Sequence, residues 1–237
     1  IIWGMNKQQF IEAMAAKGVE VTEKQAQQLD EYRKLLKEWN EKMNLTAITD
    51  DEQIWEKHFF DSVTPFVNTE FETLCDVGSG AGFPGIPVQI LWPERKITLV
   101  EPLAKRCRFL NEVKDQLNLD NLTVVNERAE DYAKAHRESF DAVSARAVAR
   151  LSILMELCVP LLKEKGTFIA LKGRNGMQEL EQAEPAMKAL DVVLKDQEAF
   201  ELEDESGRIN FYFEKEKKTD PKYPRPYGTI KKKPLEK

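Results

Sequence analysis

Cysteine and histidine are both scarce in this chain of 237 residues. The three cysteines, Cys75, Cys107 and Cys158, lie in apolar segments, and the two histidines are His58 and His136. An odd number of cysteines in apolar surroundings is typical of buried thiols in a reducing cytosol, and not of a disulfide framework or a metal site. We therefore expect a cytoplasmic protein that binds no metal.

Long hydrophobic runs are also missing. The longest nearly apolar run, "ILMELCVPLL" at 153–162, is interrupted by Glu156 and is too short to span a bilayer. The opening "IIWGMNKQQF" lacks the basic and apolar pattern of a signal peptide. With 42% hydrophobic and 32% charged residues, the composition is that of a globular protein, and we expect no membrane segment.

Positive charge is scarce in most of the chain and is concentrated at its carboxyl end. Residues 215–237 contain nine Lys or Arg against three Asp or Glu, a local net charge of +6; the whole chain carries −6, which leaves −12 for residues 1–214. Four prolines in the basic tail, residues 217–237, predict that it forms no helix. Two interpretations remain open: a frayed, solvated terminus, or an arm that contacts phosphate groups.

The amino-terminal part, residues 1–70, is predicted to be a helical extension. Residues 6–43 carry apolar side chains at helical spacing, and Thr22 with Gln25 matches a capping box. A second helical pattern covers 51–66. The apolar stripe of the first pattern predicts a face that packs against the rest of the molecule.

Residues 71–216 show a different pattern, in which short apolar runs alternate with longer amphipathic ones. This alternation predicts an α/β domain with a mostly parallel sheet covered by helices on both faces. A last pair of runs with no helix between them would close a sheet of seven strands. The predicted strands are "TLCDV", "KITLVE", "LTVVN", "FDAVSA", "GTFIALK", "DVVLKDQEAFEL" and "RINFYFEK", and the predicted helices lie near 84–91, 104–118, 128–135, 150–162 and 176–189.

Glycine is concentrated in one short stretch, "LCDVGSGAGFPGI" at 74–86, which holds Gly78, Gly80, Gly82 and Gly85. Glycine inside a regular element costs about 0.5–1 kcal/mol relative to alanine, so this cluster predicts a tight turn or a close approach of backbone to a ligand. The stretch leaves the first predicted strand and opens the first predicted helix. In parallel sheets, ligands bind outside the carboxyl ends of the strands, where the strand order reverses.

Two ligand classes fit the glycine loop. Counted from Gly80, the residues "GAGFPG" match the G-x-G-x-x-G fingerprint of dinucleotide-dependent oxidoreductases, with Glu101 at the end of the second strand as the expected acid. Counted from Asp76, the same stretch is D-x-G-x-G-x-G with the same acid at Glu101. The second pattern is favoured because the first begins three residues away from the strand.

The D-x-G-x-G-x-G loop with an acid after the next strand resembles the class I S-adenosylmethionine-dependent methyltransferases. The segments "LCDVGSGAGFPGIP", "ERAED", "SARAVARL", "WNEKMNLTAIT" and "HFFDS" together are similar to the bacterial glucose-inhibited-division protein B family, the guanine-N7 methyltransferases of small-subunit ribosomal RNA. The similarity runs from about residue 5 to the end. It implies a Rossmann-like fold and S-adenosylmethionine as the methyl donor.

The resemblance also implies roles for individual residues. Glu101 would bond the ribose hydroxyls, Ala129 and Glu130 would flank the adenine, and Arg146 would lie beside the reacting centre. The implied cofactor-binding residues are Asp76, Gly78, Gly80, Gly82, Phe83, Glu101, Ala129, Glu130 and Arg146. The candidate catalytic residues are Arg146, His58 and Lys172.

Each of these residues also has a plain structural interpretation. Glu101 could be a polar strand terminus, and Glu130 an acid favoured in the first turn of a helix. Arg146 and Arg150 could be surface cations, and His58 could be a packing histidine with satisfied ring nitrogens. The common position of Glu101, Glu130 and Arg146 at the carboxyl ends of neighbouring strands favours a site.

The chemistry implied by the resemblance needs little acid–base machinery. Guanine N7 has a lone pair and no proton, so no general base is required, in agreement with the scarcity of histidine. The resemblance implies ribosomal RNA or the small ribosomal subunit as the partner, and the basic tail with Tyr223 and Tyr227 has a composition that can meet phosphates and stack bases. Alternatives are a methyltransferase for a small molecule or another RNA, and a non-catalytic RNA-binding protein; we expect a monomer.

Overall fold

One sheet organises the molecule. The computed structural model describes residues 4–146, 149–202 and 206–237, and within them seven strands form a single sheet. The strands β1 to β7 are Thr73–Val77, Lys96–Val100, Leu122–Val125, Phe140–Arg146, Leu162–Gly173, Val192–Glu201 and Gly207–Lys215. Strands β1 to β5 pair in parallel, and β7 runs antiparallel between β5 and β6. The predicted α/β class and the closing pair of strands are confirmed.

The strand order is β3-β2-β1-β4-β5-β7-β6. The chain moves outward from β1 to β3 and then returns to the other side of β1, so the order reverses between β1 and β4. Val77 at the end of β1 pairs with both Val100 of β2 and Ala145 of β4. The carboxyl ends of these three strands therefore lie at one edge, which is the position where such sheets hold ligands.

Helices cover both faces of the sheet, because each of strands β1 to β5 is followed by a helical segment. The helices α1 to α11 are Lys7–Ala16, Glu23–Met43, Asp51–Gln53, Asp61–Val63, Gly85–Leu91, Ala104–Leu117, Ala129–Ala135, Leu151–Cys158, Gly176–Gln182, Glu184–Ala189 and Tyr227–Lys232. One hydrophobic cluster joins α1, α2, α5 and α6 to the sheet. A second cluster joins α7 to α11 to the opposite face.

The range 6–43, predicted to be helical, is divided into two helices in the structure. Gly18 adopts φ +82°, and its N–H and that of Val19 bond to carbonyls of the last turn of α1, a glycine C-cap that ends the helix. Helix α2 begins at the predicted capping box: the Thr22 hydroxyl accepts from the Gln25 backbone, and the Gln25 side chain accepts from the Thr22 backbone. The helix predicted near 176–189 is likewise two helices, α9 and α10.

The segment 51–66 is helical as predicted, but its winding changes along its length. After α3, residues Ile54–Phe60 form a π-helix; α4 follows, and Thr64–Phe66 form a 3₁₀ turn. Wide turns of this kind are rare and occur frequently at functional sites. His58 lies in the π-helix and is buried.

The basic tail is folded, so the prediction that its prolines keep it from forming a helix is wrong. Pro226 precedes α11, where a missing N–H costs the helix nothing. Tyr223 and Ile230 are buried in the cluster of α7 to α11. Arg225 donates two guanidinium hydrogen bonds to Glu156 of α8, at 2.7 and 3.0 Å. The tail is therefore a strap across the outside of α7 and α8 instead of a frayed terminus.

The amino-terminal extension is also docked. Phe10, Leu29 and Tyr32 belong to the same buried cluster as Ile86 of α5 and Phe109 of α6. The division of the sequence at 70 and 217 stays a prediction. Residues 147 and 148 of the "SARAVARL" motif lie outside the described residues. In the described part of the chain, no helix combines the length and the apolar character needed to cross a membrane.

Candidate functional site

A cleft of about 410 Å³ opens at the carboxyl edge of the sheet. The loop after β1, Glu101 and Arg106 after β2, and Arg146 at the end of β4 form one side of it. Thr46 and His58 of the extension form the other side. The cleft therefore coincides with the reversal of strand order between β1 and β4.

The glycine loop is shaped by backbone geometry that side chains would obstruct. Gly80 adopts φ +57°, a conformation that L-residues rarely take, and open space surrounds the position of its absent Cβ. Gly85 meets the opposite constraint, because a Cβ there would lie 2.2 Å from Leu99 Cδ2 of β2. Without a side chain at Gly80, a ligand in the cleft can approach the backbone closely. Without a side chain at Gly85, helix α5 can begin directly against the sheet.

Asp76 lies beneath this loop. It is fully buried; its Oδ2 accepts from the Gly85 N–H at 3.0 Å, and its Oδ1 accepts from the Ser144 hydroxyl at 3.2 Å. Burial raises the pKa of Asp76 to about 7, although the Gly85 N–H acts in the opposite direction. Its contacts fix the start of α5, so it supports the loop from below. Its predicted direct contact with a cofactor stays a prediction.

Glu101 occupies the position predicted for it. Its side chain is 1% exposed; Oε1 accepts from the Gly80 N–H at 2.9 Å, and Oε2 accepts from the Leu103 N–H at 2.7 Å. Arg106 lies 3.7 Å from Oε1. A carboxylate has about four lone-pair positions, so each oxygen can accept one further hydrogen bond from the cleft.

His58 is held on three sides. Its ring stacks on Phe83 with centroids 4.1 Å apart and 7° between the planes. Its Nε2 lies 2.8 Å from Thr46 Oγ1, and its Nδ1 lies 3.2 Å from Arg146 Nη2. Burial lowers the pKa of His58 to about 3, and the positive charges of Arg146 and Arg208 act in the same direction. The ring is therefore neutral at physiological pH, and both nitrogens are engaged.

Arg146 reaches from the end of β4 into the cleft. Besides the contact with His58, its Nη1 lies 3.4 Å from Ser62 Oγ, and its Cζ lies 5.6 Å from the Phe83 ring centroid. Burial lowers the pKa of Arg146, and the carboxylate of Asp61 opposes that shift. A guanidinium has five N–H donors and these two partners use two of them, so Arg146 can bind a further acceptor.

Lys172 lies elsewhere. Its ammonium group donates to the Ala149 carbonyl at 2.7 Å and pairs with Glu179 at 3.0 Å, and the side chain is buried. Glu179 in turn accepts from the Leu151 N–H at the start of α8. Lys172 thus anchors the segment that follows β4, and its contacts do not place it in the cleft as a catalytic group.

Ala129 and Glu130 begin α7 at the carboxyl end of β3, as expected from the sequence. Both are buried, and the Glu130 carboxylate lies 4.0 Å from Arg128. Neither contributes to the wall of the cleft in the described residues. Their predicted contact with an adenine stays a prediction.

Three contributors to the site were missed from the sequence. Thr46 and Arg106 line the cleft, and the Tyr32 hydroxyl of α2 donates to the Ala81 carbonyl in the glycine loop. The segment "WNEKMNLTAIT" contains Thr46 and was a signal for that residue. Tyr32 belongs to an ordinary helical stripe, and nothing in the sequence separates it from a core residue.

Among the residues that the structure describes, no group of three or more His, Cys, Asp or Glu side chains could hold a metal ion.

Comparison with known proteins gives one consistent match. A family model described as "rRNA small subunit methyltransferase G" matches residues 25–206. A protein of Lysinibacillus sphaericus named "Ribosomal RNA small subunit methyltransferase G" is 50% identical and covers 98% of this chain and 100% of the relative. A protein of the same name from Listeria innocua is 46% identical over the same shares.

A solved structure gives the same fold. The M. jannaschii protein TYW2, crystallised in complex with AdoMet, superposes with a TM-score of 0.56 over 71% of this chain and 79% of that chain, at 15% identity. At this identity the likeness concerns the fold alone.

Proposed function

The chain belongs to the ribosomal RNA small subunit methyltransferase G family, and from this premise we propose that it methylates N7 of a guanine in 16S ribosomal RNA with S-adenosylmethionine as the donor. The match covers residues 25–206, including the whole glycine loop, Glu101 and Arg146. Family membership also decides against the dinucleotide-dependent oxidoreductase that the G-x-G-x-x-G pattern left open.

The cleft suits the proposed donor. Glu101 is a buried carboxylate with remaining acceptor capacity, which fits the two ribose hydroxyls of S-adenosylmethionine. Gly80 offers backbone with no side chain in the way, and Phe83 offers an apolar ring. The bound donor supplies a methyl group on a positively charged sulfur.

The protonation and hydrogen bonding of His58 are the observation that supports guanine N7 as the methyl acceptor. Arg146 only donates, so Nδ1 of His58 accepts, and Nε2 carries the proton and donates to Thr46. With a pKa of about 3 and no free lone pair, His58 does not serve as a general base. Guanine N7 needs none, because its lone pair is available without loss of a proton.

Arg146 has the donors to position the acceptor. Its free N–H groups can bond a base edge or a phosphate, and its planar fork fixes the direction of those bonds. Phe83 and His58 hold the guanidinium against one wall of the cleft. Catalysis then consists of alignment and exclusion of water, which well-oriented groups can supply.

The substrate is ribosomal RNA, free or in the small ribosomal subunit, and the place of action is the cytoplasm. The protein acts as a monomer in this proposal.

Chemical scission of ribosomal RNA tests the proposal. Methylation at N7 makes the guanine reducible by borohydride, after which aniline cleaves the chain at that nucleotide. RNA from cells that lack the gene should lose one scission site in 16S RNA, and a plasmid copy should restore it. A plasmid copy carrying Arg146→Ala should not restore the site. An unchanged scission pattern without the gene would contradict the proposed reaction.

A further inference from the structure

The basic tail follows a defined path from one edge of the sheet to the other. It starts at the amino edge, where Glu138 accepts from the Thr219 N–H at 3.0 Å and Arg137 donates to the Thr219 carbonyl at 3.0 Å. Arg137 and Glu138 directly precede β4. The first part of the tail therefore lies at the edge opposite to the cleft.

The second part of the tail reaches the carboxyl edge, where the cleft lies. Arg128, which follows β3, places its Cζ 5.8 Å from the Tyr227 ring centroid. Near the other end of the tail, Glu236 accepts from Arg150 Nη2 at 3.0 Å and from the Ser152 hydroxyl at 2.8 Å. Arg150 and Ser152 start α8, only a few residues after Arg146. Contacts to the carboxyl edge thus bracket residues 227–236.

Two sets of lysines share the tail, and both are exposed. The proximal lysines, near the amino edge, are Lys217, Lys218 and Lys222. The distal lysines, within the bracketed part, are Lys231, Lys232 and Lys233.

The distal lysines are not needed to hold the tail in place. The tail is held by the burial of Ile230 and by two ion pairs, Arg225 with Glu156 and Lys237 with Glu184. In the part of the chain that the structure describes, no carboxylate lies within ion-pair distance of the distal lysines. Three adjacent cations are thus fixed on an ordered scaffold with their charge available to a partner.

The negative charge of the rest of the chain limits where on the molecule RNA can bind. Residues 1–214 carry a net charge of −12, which opposes the approach of a polyanion. An RNA that brings a guanine to the cleft must pass its phosphates close to the carboxyl edge. Exposed cations there offset the repulsion where the substrate needs it, whereas equal cations at the amino edge do not.

We propose that the distal tail, residues 227–237, is a docking surface for the phosphate backbone of the RNA substrate, and that the distal lysines are its phosphate contacts. The inference rests on the proposed function and names the part of the surface that holds the RNA beside the cleft. The tail acts as a strap that carries these contacts to the reacting edge.

Two matched variants test the surface. The distal variant replaces all three distal lysines by glutamine (Lys231→Gln, Lys232→Gln, Lys233→Gln), and the proximal variant does the same to the proximal lysines. Each variant removes three exposed cations, so their net charges are equal. The probe is full-length unmethylated 16S RNA transcript, and its dissociation constant is measured over a series of salt concentrations.

The distal variant should bind the transcript at least tenfold more weakly at low salt, and the slope of log K against log salt should flatten by about two units, as expected for three lost phosphate contacts. The proximal variant should keep a slope close to that of the wild type. Equal losses in both variants, or wild-type binding by the distal variant, would overturn the proposal.

Two controls keep the result interpretable. A variant with arginine at all three distal positions should bind like the wild type, because the charge is kept. Affinity for S-adenosylmethionine and the melting temperature should be unchanged in the distal variant, since these side chains are exposed. Failure of the proposed function has a separate readout: wild-type protein would then bind the transcript without transferring a methyl group to it.

Discussion

At the scale of single residues, the orientation of Arg146 depends on a chain of hydrogen bonds that ends in the extension. Arg146 donates to His58 Nδ1, and the opposite ring nitrogen donates to Thr46 Oγ1. The Thr46 hydroxyl oxygen also accepts from the Ile48 N–H at 3.0 Å, which fixes its position. Thr46 therefore holds the Nε2 side of the His58 ring, and through the ring it contributes to the position of Arg146.

Replacing Thr46 by valine keeps the shape of the side chain and removes the acceptor. Thr46→Val should lower the turnover of 16S RNA methylation roughly fivefold, the equivalent of one hydrogen bond of about 1 kcal/mol. Initial rates at saturating RNA and donor measure the effect. Thr46→Ser should restore most of the turnover because the hydroxyl returns. Equal losses in both variants would indicate a packing role and remove Thr46 from the positioning chain.

The sequence predicted only part of this arrangement, for a physical reason. Glu101 and Arg146 end strands, and parallel strands place their carboxyl ends together whatever the rest of the chain does. Thr46 reaches the cleft, and Tyr32 reaches the glycine loop, only because the extension docks on one particular face. Lys172 also lies near the end of a strand, but it pairs with the nearby carboxylate of Glu179, and its catalytic role stays a prediction.

At the scale of elements, helix α2 supports the glycine loop directly. Tyr32 lies fully buried between the two, stacks on Phe59 and packs against Phe83, and its hydroxyl donates to the Ala81 carbonyl. Gly82 provides the room, because a Cβ there would lie 2.6 Å from the Tyr32 hydroxyl. The shape of the loop and the docking of the helix thus depend on each other.

The substitution Tyr32→Phe isolates this hydroxyl, since the ring and its stacking remain. We expect the free energy of unfolding to fall by about 1–3 kcal/mol, because the buried Ala81 carbonyl loses its partner. Urea denaturation measures the change, and Phe59→Leu, which alters stacking and keeps the hydroxyl, serves for comparison. A midpoint equal to that of the wild type would show that the hydroxyl contributes nothing to the loop.

Elements with local signals were predictable, and those fixed by tertiary contacts were not. Each predicted strand exists because its apolar run is bounded by turn residues. The break at Gly18 was hidden because apolar spacing continues on both sides of it. Helix α11 forms in a tail rich in proline because burial of Ile230 against the body stabilises a turn that composition alone disfavours.

At the scale of the whole molecule, the amino-terminal extension and the basic tail lie on opposite faces of the sheet and contribute differently. The extension closes one wall of the cleft, and the tail on the other face carries the cations proposed to hold RNA. Tyr223 and Ile230 are buried. Removal of the tail would lose this burial, which contributes about 1.5–3 kcal/mol for a large apolar side chain. The tail is therefore better examined by changes to its exposed lysines than by truncation.

We infer that the cleft at the ends of β1, β2 and β4 binds S-adenosylmethionine through Glu101. Calorimetric titration of the donor into wild-type protein and into Glu101→Ala measures this binding directly. We expect Glu101→Ala to bind the donor at least tenfold more weakly, because a charged hydrogen-bond partner contributes about 1.5–3 kcal/mol. Glu94→Ala, which removes an exposed carboxylate before β2, should bind like the wild type. Equal affinity in Glu101→Ala and the wild type would show that Glu101 does not bind the donor.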